Sequence, residues 1–358
     1  MILIGTDAGV YRWFEGCNWP IYHGLQGRSI AGLDSAGAGV LAVLDCDGEV
    51  LESVNNGQDW RTIPRPEGSG TPTALAVRGT EEASIVLATR PLGLYLREVG
   101  VPDVRAEGSS RRGFLPSLFG RGATSAQAVA SDPEAARLAG WTRLGAPSPS
   151  PSAGDGSPQI RTLAFGPGSP GTWFAAIPGA GLWRSTDAGT SWRHCAGLPA
   201  DVNAIRHVPG QPNRAFAATS DGCWVSNDAG QTWEDRSGGL EKARDLGALD
   251  VKPGEPDVLL AGAATGEAVG PEAEPAEGLV VALFESTNGG KTWTHVRRGF
   301  PEDLEGDTIA DIRHDPVAPD NVIVALASGE LWVTRNGGAY WGPLARQFRA
   351  ARALCAVG

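Results

Sequence analysis

Charged side chains stand inside otherwise apolar stretches at a few places in this 358-residue chain. Asp34 follows Leu33, Arg206 follows Ile205, Asp250 follows Leu249, and Asp311 and Arg313 flank Ile312. Two carboxylates such as Asp250 and Asp311 are the residue types of general acid–base chemistry. Arginines beside them would keep both ionised, which is the wrong state for a proton donor. An isolated charge in apolar surroundings is very costly, so these groups must be paired or solvated. Two arrangements satisfy that requirement. One is an alternating ion-pair ladder along a wet channel. The other is a binding site for a charged small molecule or peptide, to which Arg161, Asn203 and Arg352 would contribute. Each of these three stands two places before an equivalent apolar residue (Leu163, Ile205 and Leu354). The histidines His23, His194, His207, His295 and His314 show neither nucleophile nor metal-ligand spacing. The cysteines Cys17, Cys46, Cys195, Cys223 and Cys355 form no CxxC pair and read as reduced structural thiols. No catalytic set, metal or cofactor is expected.

The elements that position these charges are read from tryptophans. Trp19, Trp60, Trp141, Trp192, Trp233, Trp293 and Trp341 recur with a base period of roughly 40 residues, which signals a propeller or solenoid. Most close one motif. Ser185-Thr-Asp187-Ala-Gly189-Thr-Ser-Trp192, Ser226-Asn-Asp228-Ala-Gly230-Gln-Thr-Trp233 and Ser286-Thr-Asn288-Gly-Gly290-Lys-Thr-Trp293 are the clearest copies. Thr334 to Trp341 and Ser53 to Trp60 keep the spacing with softer residues. Asp or Asn, a small residue and then Gly is hairpin-turn chemistry. The tryptophan then opens the next strand and buries a large apolar face, and Trp192 and Trp233 are expected to be mostly buried.

The Ser/Thr-x-Asp/Asn-x-Gly-x-x-Trp string resembles the Asp-box, or bacterial neuraminidase (BNR), repeat. That repeat is found in sialidases, the sortilin ectodomain, some xyloglucan-cleaving glycoside hydrolases and photosystem II assembly-factor propellers. The resemblance covers nearly the whole chain and implies an all-β propeller of the WD40/YVTN-like kind. Its functional implication is broad, since the family spans hydrolases, receptors and assembly factors. Sialidases of this type carry an arginine triad, a Tyr nucleophile with a Glu partner and a Phe/Tyr-Arg-Ile-Pro motif. No such tetrapeptide occurs here, and the four tyrosines (Tyr11, Tyr22, Tyr95 and Tyr340) fall in or beside repeat strands. The xyloglucan hydrolases set two propellers around a cleft, which one propeller cannot form alone.

Each blade is expected to be a four-stranded antiparallel meander, A (innermost) to D. The frame fits Arg28–Ile63, Thr73–Leu144, Gln159–Leu198, Asp201–Leu240, Asp245–Phe300 and Asp307–Leu344, which are blades 1 to 6. Blade 7 is shared by the two ends. Residues 1–24 supply strands B to D and residues 350–358 supply A. The expectation is a single closed seven-bladed β-propeller over 1–358. An insertion at 100–137 interrupts blade 2, and an acidic loop at 264–278 interrupts blade 5. Leu33, Leu75, Leu163, Ile205, Leu249, Ile312 and Leu354 share one register of the A strands, and their neighbours face the channel.

Fifty Gly and 26 Pro fit a turn-rich β protein, and a net charge of −11 excludes nucleic acid as the expected partner. The N-terminus lacks the basic and apolar regions of a signal peptide, and no apolar run approaches ~20 residues, so the expected location is the cytoplasm. The insertion contains Arg111, Arg112, Phe114, Leu115, Leu118, Phe119 and Arg121. It reads either as a docking element for a partner or membrane surface, or as a loop folded onto the propeller. The function favoured is a non-catalytic scaffold for protein–protein interaction, serving as an assembly or accessory factor of a larger complex. The alternative is a glycoside hydrolase or carbohydrate-binding protein of the sialidase-like superfamily. The sequence leaves the oligomeric state open.

Overall fold

The computed structural model describes residues 1–37, 39–79, 83–99, 140–149, 157–166, 171–241, 243–265, 280–301, 304, 307–344 and 348–357. The blade 2 insertion, with its arginine and apolar group at 111–121, lies outside them. So does the acidic loop of blade 5 beyond Thr265.

Seven four-stranded antiparallel sheets form a ring of seven blades, a seven-bladed β-propeller with no helix among the described residues. Closure is shared between the ends. Strand Ala351–Ala356 pairs with Ile2–Thr6, the sheet continues through Gly9–Trp13 to Ile21–Gly24, and Leu354 stands opposite Ile4. The amide N–H of Val357 donates to the Met1 carbonyl, and the Met1 ammonium pairs with the buried Asp315 of blade 6. Apolar edges left open would be templates for aggregation, and this pairing removes them.

The core is not inside the blades but between them. Seven apolar clusters each join two neighbouring blades, and together they run round the ring. Strand B residues contribute to every cluster because both faces of the second strand are covered. Trp173–Ile177 and Val322–Leu326 are buried at every position.

The repeat turns are built as their residue types require. In blade 4 the Ser226 hydroxyl donates to Asp228 Oδ1 at 2.8 Å and accepts the Gly230 amide at 2.7 Å. Asp228 accepts the Thr232 amide and hydroxyl at 2.9 and 2.6 Å. The residue before the glycine is also left-handed: φ is 57° at Ala229 and 82° at Gly230. A side chain at the first position is therefore tolerated at a cost, and Gly289 and Gly337 avoid that cost in blades 5 and 6.

The tryptophans do not all serve as the repeat predicts. Trp141, Trp293 and Trp341 are buried, whereas Trp192 and Trp233 are only half-buried. The reason is their direction. The indole N–H groups of Trp141, Trp192 and Trp293 donate to the carbonyls of Pro64, Gly145 and Arg236, which end the preceding blade. These rings bridge blades at the outer edge of the wheel, and coverage varies with the neighbour. Trp19 is 59% exposed. Its blade has a degenerate turn, and the fully buried Trp13 fills the apolar place instead, with its indole donating to Cys17 O at 3.1 Å.

Candidate functional site

The inner strands of blades 4, 5 and 6 are Val202–Val208, Asp245–Val251 and Ile309–His314. They bring Arg206, Asp250, Asp311 and Arg313 into one network on the channel wall. Arg206 lies 3.5 Å from Asp250 Oδ1 and 3.1 Å from Asp311 Oδ1, and Arg313 lies 2.6 Å from the same Asp311 oxygen. Asp34 is close enough for both arginines to act on its carboxyl.

The carboxylates also tie blades together through the backbone. Asp34 accepts the Val77 amide of blade 2 at 2.8 Å, Asp250 the His314 amide of blade 6 at 2.8 Å, and Asp311 the Leu354 amide of blade 7 at 3.1 Å. In each case the acceptor reaches an N–H one register step further along the next inner strand. Asp250 additionally bonds His314 Nδ1 at 2.8 Å.

Electrostatics follow from this crowding. Burial pushes the Asp34 carboxyl up, and the amide and arginines near it only partly offset that. Burial acts on Asp250 in the same direction, but the bond from His314 and the nearby positive charges outweigh it, and its pKa falls below the ordinary carboxylate range. Burial and the charge of Arg313 lower the pKa of Arg206. For Arg313 burial is outweighed by Asp311 and Asp250, and its pKa rises. The buried Cys355 thiol is pushed well up and stays protonated. An ionised Asp250 that is fully engaged has no proton to give. The arrangement clamps inner strands and neutralises charge.

A second, open region lies where the inner strands begin. Five of these strands carry a bulge two residues before the shared apolar position, at Ala31, Thr73, Asn203, Gly247 and Ala310, and strand Ala351–Ala356 shifts register at Arg352. Arg161 occupies the same register in blade 3. Bulges re-aim side chains, and they are common beside functional sites. The predicted residues at this level separate. Arg161 donates to Asn203 Oδ1 at 2.5 Å, and both line a cavity of about 740 Å³ over blades 3 to 6. Arg352 turns instead to Ser29 Oγ at 3.0 Å and Cys46 Sγ at 2.7 Å. Asp201, Ser220, Asp245 and Thr308 add polar side chains to the cavity, Gly247 lines it with backbone, and Ala263, Val281 and Ile309 contribute apolar surface. The sequence reading missed Asp201, Asp245 and Gly247. Extending the seven-strand register back by two to four places marks Gly247, Asp201 and Asp245. Among the described residues no group of three or more His, Cys, Asp or Glu is placed to hold a metal ion, and no helix is long and apolar enough to cross a membrane.

Comparison with known proteins agrees with this architecture. The family model for sortilin, neurotensin receptor 3, matches residues 180–300. No curated protein matches the sequence. Among solved structures, the chain is similar to the GH74 xyloglucanase from Xanthomonas campestris (TM-score 0.58, 18% identity, covering 99% of this chain and 52% of that one). It is also similar to an ancestral GH74 enzyme (0.55, 15%, covering 90% and 39%). A third similar structure is YCF48 bound to D1 peptide (0.52, 15%, covering 93% and 87%). The chain spans about half, or less, of the length of the two GH74 enzymes, and most of YCF48. Identities this low carry the fold alone. The chain is a seven-bladed β-propeller, and its residues 180–300 are similar to the sortilin family.

Proposed function

We propose that this propeller is a non-catalytic scaffold that binds an extended segment of a protein partner at the mouth of blades 3 to 6, as an accessory factor of a larger assembly. The observation that carries the reading is the contrast between the two charged regions. The channel charges are engaged with one another and with neighbouring strands, while the mouth offers a cavity of about 740 Å³ with polar groups facing solvent. A protein-binding role is in keeping with the YCF48 likeness, where a propeller of similar length holds a peptide. Carbohydrate sites use aromatic platforms, and no aromatic side chain is among the described residues lining this cavity.

The test is direct. Fluorescein-labelled extended pentapeptides of varied charge are titrated against the protein, and sialosides and xyloglucan oligosaccharides are incubated with it in parallel. Saturable peptide binding without hydrolysis supports the scaffold. Hydrolysis abolished by Asp250→Asn or Asp311→Asn replaces it with the glycoside hydrolase reading.

A further inference from the structure

Among the described residues, the cavity over blades 3 to 6 holds a carboxylate with no hydrogen-bond or ion-pair partner. Asp245, the first residue of its inner strand, is exposed, and among the described residues its carboxylate accepts no hydrogen bond. Partial desolvation at the cavity rim raises its pKa, and Asp201 raises it further, while Arg161 pulls it down. Arg161 already spends one nitrogen on Asn203, and Asp201 accepts the Gly179 amide at 2.9 Å. Among the described residues the cavity is therefore short of one positive charge beside Asp245.

The wall beside this carboxylate is apolar and smooth. Ala263, Val281 and Ile309 are at most 5% exposed and form a strip of small and branched side chains. Gly247 sits on the bulge two residues after Asp245, and a Cβ there would meet only the Ile309 carbonyl oxygen, at 3.7 Å. Space for a stem leads past Gly247 to a carboxylate. A cation on an aliphatic stem fits that shape: the stem covers the apolar strip, and the head pairs with Asp245.

We propose that this cavity receives a lysine or arginine side chain of an extended partner segment, with Asp245 as its counter-charge and Gly247 as the gap that admits its stem. The proposal rests on the peptide-binding reading above and names the residue class it selects. Asp201 adds negative potential, and Arg161 faces the neighbouring backbone or an acidic side chain of the same segment. Positional preference at one residue is what a single charged cavity imposes on a chain bound across it.

The experiment uses the full chain and four probes: acetyl-Ala-Ala-X-Ala-Ala-amide with X as Lys, Arg, norleucine or Glu. Each is titrated at pH 7 by thermophoresis against the parent protein, Asp245→Asn and Gly247→Leu. Melting curves establish that the variants are folded, and Gly247 has the room for a side chain without a positive φ. The Lys and Arg peptides should bind at least about tenfold tighter than norleucine or Glu, and both variants should remove that advantage, in keeping with loss of a charge-assisted pair. Equal binding of norleucine, blocked by Gly247→Leu, overturns the cation assignment and leaves the peptide-binding reading standing. Cation preference that survives both variants places the site elsewhere and overturns the proposal. Failure of all four peptides to bind overturns both.

Discussion

Trp341→Ala and Trp19→Ala are chemically the same change at two repeat positions, and the structure assigns them different costs. Trp341 is fully buried in the cluster joining blades 5 and 6, and its ring meets Phe300 edge-on at 5.6 Å. A buried tryptophan removes roughly 150–250 Å² from water, which at ~25 cal/mol/Å² is about 4–6 kcal/mol. Allowing for a denatured chain that already covers 10–40% of that area, about 3–5 kcal/mol remains. This agrees with the roughly 3–5 kcal/mol typical of Trp→Ala in cores. The indole N–H of Trp341 has no partner among the described residues, so truncation orphans no acceptor and the loss is one of packing. Trp19 is 59% exposed, and its removal should cost no more than about 1–2 kcal/mol. An unfolding entropy of roughly 2.1 cal/mol/K per residue makes 1 kcal/mol worth about 1.3 °C in a chain this long. Calorimetry should therefore show Tm falling by about 4–7 °C for Trp341→Ala and by under about 3 °C for Trp19→Ala. Equal shifts for the two variants would refute the argument that inter-blade burial, and not the repeat position, sets the cost.

Other outcomes follow from closure, turns and burial. Deleting 351–358 removes the strand paired with Ile2–Thr6 and the amide bonded to Asp311. The truncated chain should scatter light on heating or lose several kcal/mol, and an unchanged melting curve would mean the ring closes without that strand. Ala229→Gly relieves a left-handed alanine at φ 57°. The relief, about 1–2 kcal/mol, exceeds the ~0.5–1 kcal/mol of extra glycine entropy, so a urea midpoint should rise by the equivalent of about 0.5–1 kcal/mol. A lower midpoint counts against the strain. Burial lowers the His207 pKa to about 4 from 6.5, and neither ring nitrogen has a hydrogen-bond partner among the described residues. The unfolded chain takes up its proton near pH 6.5 and the folded chain only near 4, so stability should fall across that window by about 3 kcal/mol. His207→Leu should flatten the fall, and an unchanged slope would assign it to other groups.

The repeat by itself determined the architecture. Ser/Thr, Asp/Asn and Gly at fixed offsets can only shape one kind of turn, and a turn recurring with an apolar strand pattern on either side dictates the meander. For that reason the strands Gly9–Trp13, Trp173–Ile177 and Gly181–Ser185 were legible to the residue, as was the sharing of blade 7 between the ends. The same register placed Arg206, Asp250, Asp311 and Arg313 together, because equivalent positions of inner strands must converge on one axis. What the sequence could not give is the partner of each charge. Arg161 and Arg352 occupy the same repeat position, yet one lines a cavity with Asn203 and the other turns to Ser29 and Cys46. That choice depends on side chains brought in by neighbouring blades. The coverage of the tryptophans was decided in the same way, because their indoles reach the preceding blade and a half-buried Trp233 and a buried Trp341 share one motif. Local spacing fixes a turn, whereas burial and ion pairing are set by atoms far away in the chain, and only the closed ring determines which atoms those are.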